Sequence, residues 1–124
     1  MKYLVFVLML LSTPAWAEWT RISDDDGFVT YADLATTRNG DTVQMWALFD
    51  YKTARQRAAD RPFLSSKSQW EFDCAGKKYR LLTLLSYSGR MGRGNAVYVD
   101  LDPGTGMPSV SESHIKQLWK VACE

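Results

Sequence analysis

One histidine, two cysteines, a run of three aspartates, a glycine pair between arginines and a short basic segment are the features of this 124-residue chain with chemical potential. His114 stands alone. A zinc site needs several converging ligands, and a nucleophilic triad needs a base beside a nucleophile; no motif here supplies either. His114 falls in the first turns of a C-terminal helix and is expected to be solvent-exposed or cap-adjacent. Asp24-Asp25-Asp26-Gly27 gathers the oxygens calcium prefers, yet lacks the alternating spacing and distal Glu of a calcium loop. It reads as an acidic turn. Gly92-x-Gly94, beside Arg90 and Arg93, has no helix start close behind it, so a hairpin turn fits better than a phosphate cradle. No motif ties two carboxylates together. The chain is expected to be non-enzymatic, with no cofactor and no metal.

Cys74 and Cys123 are the two cysteines. Their setting depends on the N-terminus. Lys2 is followed by an uncharged run, Tyr3 to Leu11, and then by Ser12-Thr13-Pro14-Ala15-Trp16-Ala17. Ala15-x-Ala17 is the small-x-small pattern of a signal peptidase site. The apolar run is too short for a bilayer core of about 30 Å, which takes about 20 residues. Residues 1–17 are therefore read as a cleaved signal peptide and 18–124 as a single domain. No Cys follows the apolar run, so a lipoprotein signal is not expected, nor is stable membrane insertion after cleavage. An exported chain meets an oxidising compartment, and two cysteines allow one pairing. There is no Cys-x-x-Cys to mark a redox pair, so Cys74–Cys123 is read as a staple. Closing a loop of about 49 residues is worth roughly 4 kcal/mol on chain-entropy arithmetic.

Two features could serve binding. Lys52, Arg55, Arg57 and Arg61 form a basic segment suited to acidic glycans or acidic protein surfaces, although Asp60 partly offsets it. Trp46 belongs to a strand that is apolar on both faces. Losing Lys2 with the leader brings the 15 basic residues down to the number of acidic ones, 14. That balance argues against a general nucleic-acid binder, which carries a basic excess.

The elements that must position these residues follow from periodicity. Trp19 to Ser23 and Phe28 to Ala32 read as short strands around the acidic turn, with Asp33 to Thr37 irregular. Asn39-Gly40 is a strong hairpin signal, because both residues tolerate positive φ. Thr42 to Tyr51 alternates: Val43, Met45, Ala47, Phe49 and Tyr51 on one face, and Gln44, Trp46, Leu48 and Asp50 on the other. Lys52 to Leu64 fits either a loop or a short helix. Ser66 to Cys74 places Ser68, Trp70, Phe72 and Cys74 on one face. Tyr79 to Ser88 and Ala96 to Leu101 complete about six strands, joined by a flexible Gly89–Asn95 turn. In the first of these, Leu82 and Leu84 oppose Leu81 and Leu85. Ser109 with Glu112 makes a capping box. Ile115, Leu118, Trp119 and Ala122 then form a helical stripe, with Cys123 at its edge. The expected fold is α+β: an antiparallel meander with one C-terminal helix on a sheet face. The bridge should pin that helix over Trp70 and Phe72. One helix covers one face, so curling, a second subunit or a partner must cover the other.

Several landmarks resemble the surface-adhesin protein E family of Gram-negative bacteria. They are Trp19, Tyr31-Ala32-Asp33, the strand with Trp46, Leu48, Asp50 and Tyr51, Ser65-Ser66-Lys67, Asp73-Cys74, Tyr79-Arg80, Tyr87, Pro108-Ser109 and Cys123. The resemblance implies a bent antiparallel sheet with a disulfide-held C-terminal helix. It also implies surface location and binding of host matrix and serum proteins. Without a lipidation Cys, a periplasmic or secreted location is expected here. The expected function is a non-enzymatic cell-envelope module that binds a protein or an acidic glycan, with a homodimer as a further arrangement. The alternative is a periplasmic carrier holding a small apolar ligand in a sheet concavity lined by Trp46, Leu48, Leu82 and Leu84.

Overall fold

A computed structural model describes residues 18–56, 61–103 and 113–124. The expected signal peptide (residues 1–17), Arg57 and the expected Ser109–Glu112 capping box lie outside the described residues. Seven strands form one antiparallel sheet: β1 (Trp19–Asp24), β2 (Phe28–Asp33), β3 (Thr37–Asn39), β4 (Thr42–Arg55), β5 (Phe63–Asp73), β6 (Lys78–Tyr87) and β7 (Ala96–Asp100). Their spatial order is β1-β2-β4-β5-β6-β7, with β3 paired to β4. Apart from the short β3, which leaves β2 to pair with β4, sequence neighbours are spatial neighbours, as in a meander. The one α-helix among the described residues, α1 (Ser113–Cys123), follows.

The sheet departs from its expected form in three places. The Asn39-Gly40 hairpin forms one residue later than its signal implies. Asn39 pairs with Thr42, and Gly40 alone takes positive φ, +63°. Lys52 to Arg55 is neither loop nor helix. It extends β4 to 14 residues, because Lys52 donates its N–H to Gly27 O at 3.0 Å and Arg55 pairs with Phe63 beyond a register shift. Finally, a β-bulge interrupts β6. Gln69 pairs with Thr83 but Trp70 pairs with Leu81. The extra residue, Leu82, resets the alternation. Leu84 pairs with Ser68 and so shares a face with Leu81 rather than opposing it.

The helix covers the face read from the β4 alternation. Val43, Met45, Ala47 and Phe49 form a buried cluster with Trp70, Phe72, Ala32 and the α1 residues Ile115, Leu118 and Ala122. Register explains the match: Met45 lies opposite Trp70, and Val43 opposite Phe72. Trp70 stacks on Phe72 with ring centroids 6.3 Å apart, and its indole N–H donates to Ser68 Oγ at 2.8 Å. The bridge Cys74–Cys123 closes at a Cα–Cα distance of 5.5 Å and ties the end of α1 to the end of β5. Trp119 reinforces it by donating its indole N–H to Asp73 O at 3.3 Å.

Candidate binding surface

The opposite sheet face is built from the alternate residues of the same strands. Leu48 pairs with Tyr31 on one side and with Lys67 on the other; Lys67 pairs with Leu85, and Leu85 with Val99. The next row is Trp46, Gln69 and Thr83, and the one after it Gln44, Glu71 and Arg80. Among the described residues no α-helix lies on this face. Even so, Leu48 is fully buried.

The cover over Leu48 is the β6–β7 connection, 88–95, which folds back as a strap around a short 3-10 turn, Arg90–Gly92. It is therefore not the flexible turn its glycines imply. Met91 N–H donates to Asp50 Oδ1 at 2.9 Å, and Gly92 N–H to Ser65 Oγ at 2.8 Å. The Ser65 hydroxyl in turn donates to Gly89 O at 2.6 Å. The Arg90 guanidinium donates to the carbonyls of Tyr51 and Lys52 at 2.8 and 3.1 Å. Gly92 and Gly94 have φ of +72° and +85°, a region glycine enters without steric cost. A Cβ on Gly92 would collide with Lys67 Cε and lie 3.5 Å from Leu48 Cδ1. The absence of a side chain there lets the backbone close over Leu48.

Beyond the strap the face remains accessible. Trp46 is half-buried, and its indole N–H has no hydrogen-bond partner among the described residues. The polar side chains around it are held by one another. Arg80 donates to Glu71 Oε1 at 2.6 Å, Gln44 to Glu71 Oε2 at 3.5 Å and Thr83 to Gln69 Oε1 at 3.4 Å. The Lys67 ammonium sits 5.1 Å from the centre of the Tyr87 ring. Trp46 thus stands as an aromatic platform within an ordered grid of donors and acceptors. Little side-chain freedom would be lost when a partner docks there.

The basic segment is less concentrated than its sequence implies. Lys52 makes an ion pair with Asp24 at 2.7 Å, and the Arg55 guanidinium lies 4.6 Å from the centre of the Tyr51 ring. Arg61 is exposed. Trp46 lies six residues along β4 from Lys52, about 20 Å at strand rise, so the two candidate features are not one site.

Other sequence features resolve in the same way. Asp24 pairs with both Arg21 and Lys52, which supports the acidic-turn reading of Asp24–Asp26. Among the described residues no group of three His, Cys, Asp or Glu side chains is placed to hold a metal. His114 is not solvent-exposed. It is half-buried, edge-on to Phe28 and Phe49 at 6.0 and 6.2 Å between ring centres, because α1 lays its first turn across β2 and β4. Neither Trp46 nor Leu48 lines the three clefts formed respectively by Glu18, Thr20, Asp33, Leu34 and Ala35, by Lys77, Lys116, Trp119, Lys120 and Glu124, and by Phe28, Phe49, Tyr51, Arg55 and His114.

With sheet, helix and bridge in place, comparison with known proteins becomes informative. The family model for surface-adhesin protein E matches residues 19–124. The chain belongs to the surface-adhesin protein E family. Its fold is similar to the crystal structure of protein E from non-typeable Haemophilus influenzae, with a TM-score of 0.64 and 13% sequence identity. That match covers 90% of this chain and 78% of the other. At that identity the likeness concerns the fold. No curated protein matches the sequence. Family membership makes the chain an adhesin-like surface protein. No helix among the described residues is long and apolar enough to cross a membrane.

Proposed function

We propose that this protein is a non-enzymatic binding module of the cell envelope, exported through its signal peptide, that engages a protein or a glycan through the sheet face around Trp46. The observation that carries this reading is the partly buried Trp46, whose indole N–H has no partner among the described residues, within the ordered grid of Gln44, Lys67, Gln69, Glu71, Arg80 and Thr83. Tryptophan at the centre of a docking surface contributes disproportionately to affinity. Fixed polar neighbours supply orientation. Lys52 and Arg55, at the far end of β4, form a secondary candidate with Arg57 and Arg61, which follow them in the sequence. Of these, exposed Arg61 is the member best placed to meet an acidic partner.

This reading is favoured over the carrier alternative by Leu48, which the strap buries completely instead of leaving it to line a ligand concavity. The test is surface plasmon resonance of the oxidised, exported protein against immobilised extracellular-matrix proteins and glycans, with native mass spectrometry of the same preparation. Saturable binding to a matrix component, and a mass equal to the bare polypeptide, are expected. A co-purifying small apolar molecule with no macromolecular binding would overturn the module in favour of the carrier.

A further inference from the structure

We propose that the cleft between the β5–β6 turn and α1 is a second binding site, one for sulfated glycan chains. It is separate from the Trp46 face and does not rest on that reading. Lys77 comes from the turn, and Lys116 and Lys120 stand one helical turn apart on α1. Lys77, Lys116 and Lys120 line a cleft of about 280 Å³ together with Trp119 and Glu124. All three lysines are exposed, and none forms an ion pair among the described residues. Glu124 is the one carboxylate residue in the lining.

Two lysines spaced i,i+4 repel each other, and a third, Lys77, brought up from another element adds to that cost. The fold nevertheless fastens the two elements together. Cys74 lies three residues before Lys77, Cys123 three residues after Lys120, and they are bonded. The Trp119 indole N–H is held on Asp73 O. Lys77 also has φ of +53°, a left-handed conformation that glycine or asparagine adopts more readily. A cationic side chain is therefore kept at a position that disfavours it both electrostatically and conformationally. An anion in the cleft would relieve the electrostatic cost.

The chemistry of the lining selects among anions. The cations are lysines without arginine, point charges that neutralise spaced anionic groups but do not grip one oxyanion through a bidentate fork. Lys77 Nζ stands 5.9 Å from the centre of the Trp119 ring, so the indole is a wall of the cleft and is not open for base stacking, which single-stranded nucleic acid uses. The exposed large hydrophobic residues, Leu34, Val99 and Leu101, do not line the cleft, so it has no apolar anchor for a lipid surface. A chain with sulfates spaced along a sugar backbone fits the remaining requirements.

The test uses heparin oligosaccharides and isothermal titration of the oxidised, exported protein across a salt series. Lys116→Gln with Lys120→Gln, and separately Lys77→Gln, alter exposed side chains, and thermal melts confirm that each variant is folded. The double variant should bind at least tenfold more weakly. Its plot of log affinity against log salt should flatten by about two, one per lost contact on counterion-release arithmetic. Lys77→Gln should weaken binding in the same direction. Arg38→Gln, which removes an exposed cation of β3 outside both surfaces, should bind heparin as the parent does. Undiminished heparin binding by the lysine variants, or no heparin binding by the parent, would overturn the site. A single-stranded oligonucleotide or anionic vesicles binding as tightly as heparin, with the same lysine dependence, would overturn the sulfated-glycan assignment.

Discussion

The carboxylate of Asp50 in β4 accepts the backbone N–H of Met91 at 2.9 Å, across 41 residues of chain. Asp50 also lies 3.7 Å from Arg90, so one side chain of the central sheet holds the strap by two of its residues. Asp50→Ala should free the strap. The expected loss is about 1–3 kcal/mol, that of leaving a donor unmade with a charged acceptor removed. Denaturant midpoints measure that loss. Faster hydrogen exchange at the Met91 and Gly92 amides, with β5 unchanged, identifies the strap as its source.

If the strap is the cover of the second face, the residue beneath it should behave as core. Leu48→Ala is expected to cost about 2–5 kcal/mol, the range for a buried leucine. A loss below about 1 kcal/mol in urea titrations would mean that Leu48 is solvated in solution and the strap is open.

The bridge holds α1 from one end. Cys123→Ser should destabilise the protein by about 2–5 kcal/mol, as loss of a native disulfide does in small secreted domains. Loosening should appear first at Trp119, whose indole hydrogen bond to Asp73 O sits beside the bridge. Equal denaturation midpoints for the variant and the oxidised parent would contradict this.

The acidic turn gives a pH dependence of known sign. The hydrogen bond from Lys52 is the largest influence on Asp24, and with the charges of Lys52 and Arg21 it lowers the carboxyl pKa below its usual value. A depressed folded-state pKa contributes stability that is present above the usual carboxylate pKa and is lost as pH falls through the folded value. Asp24 is solvent-accessible, so the effect on stability is screened and small. The cleaner measurement is NMR titration of the carboxyl. Lys52→Gln should raise the Asp24 midpoint toward that of an ordinary aspartate.

Much of the fold was legible in the sequence because it is encoded locally. The β4 alternation of Val43, Met45, Ala47 and Phe49 identifies the core face, and Ile115, Leu118 and Ala122 identify the matching helix stripe. Two cysteines in an exported chain left one pairing. What was hidden depends on contacts between distant residues or on a change of period. The bulge at Leu82 has no signature in a uniform run of leucines, so Leu84 was placed on the wrong face. Gly89 to Asn95 has the composition of a flexible turn, and only Asp50 and Ser65, far back in the chain, make it a strap. Lys52 to Arg55 is polar and fits a loop or a short helix by composition, but pairing with neighbouring strands extends β4 through it. Trp46 was legible as a binding candidate from its place opposite Met45. The grid around it, from Gln44 and Glu71 to Arg80, needed the register of three strands.

The central claim, that the Trp46 face meets the partner, is tested most directly by Trp46→Ala, with binding, thermal stability and sedimentation measured side by side. Affinity for the matrix component captured by the parent should fall at least tenfold, about 1.4 kcal/mol or more. The melting temperature should drop far less than it does for Trp70→Ala, a buried-core control expected to cost about 3–5 kcal/mol. The sedimentation coefficient should stay the same. A melting temperature lowered as far as that of Trp70→Ala, with binding intact, would show that Trp46 belongs to the core and not to the interface.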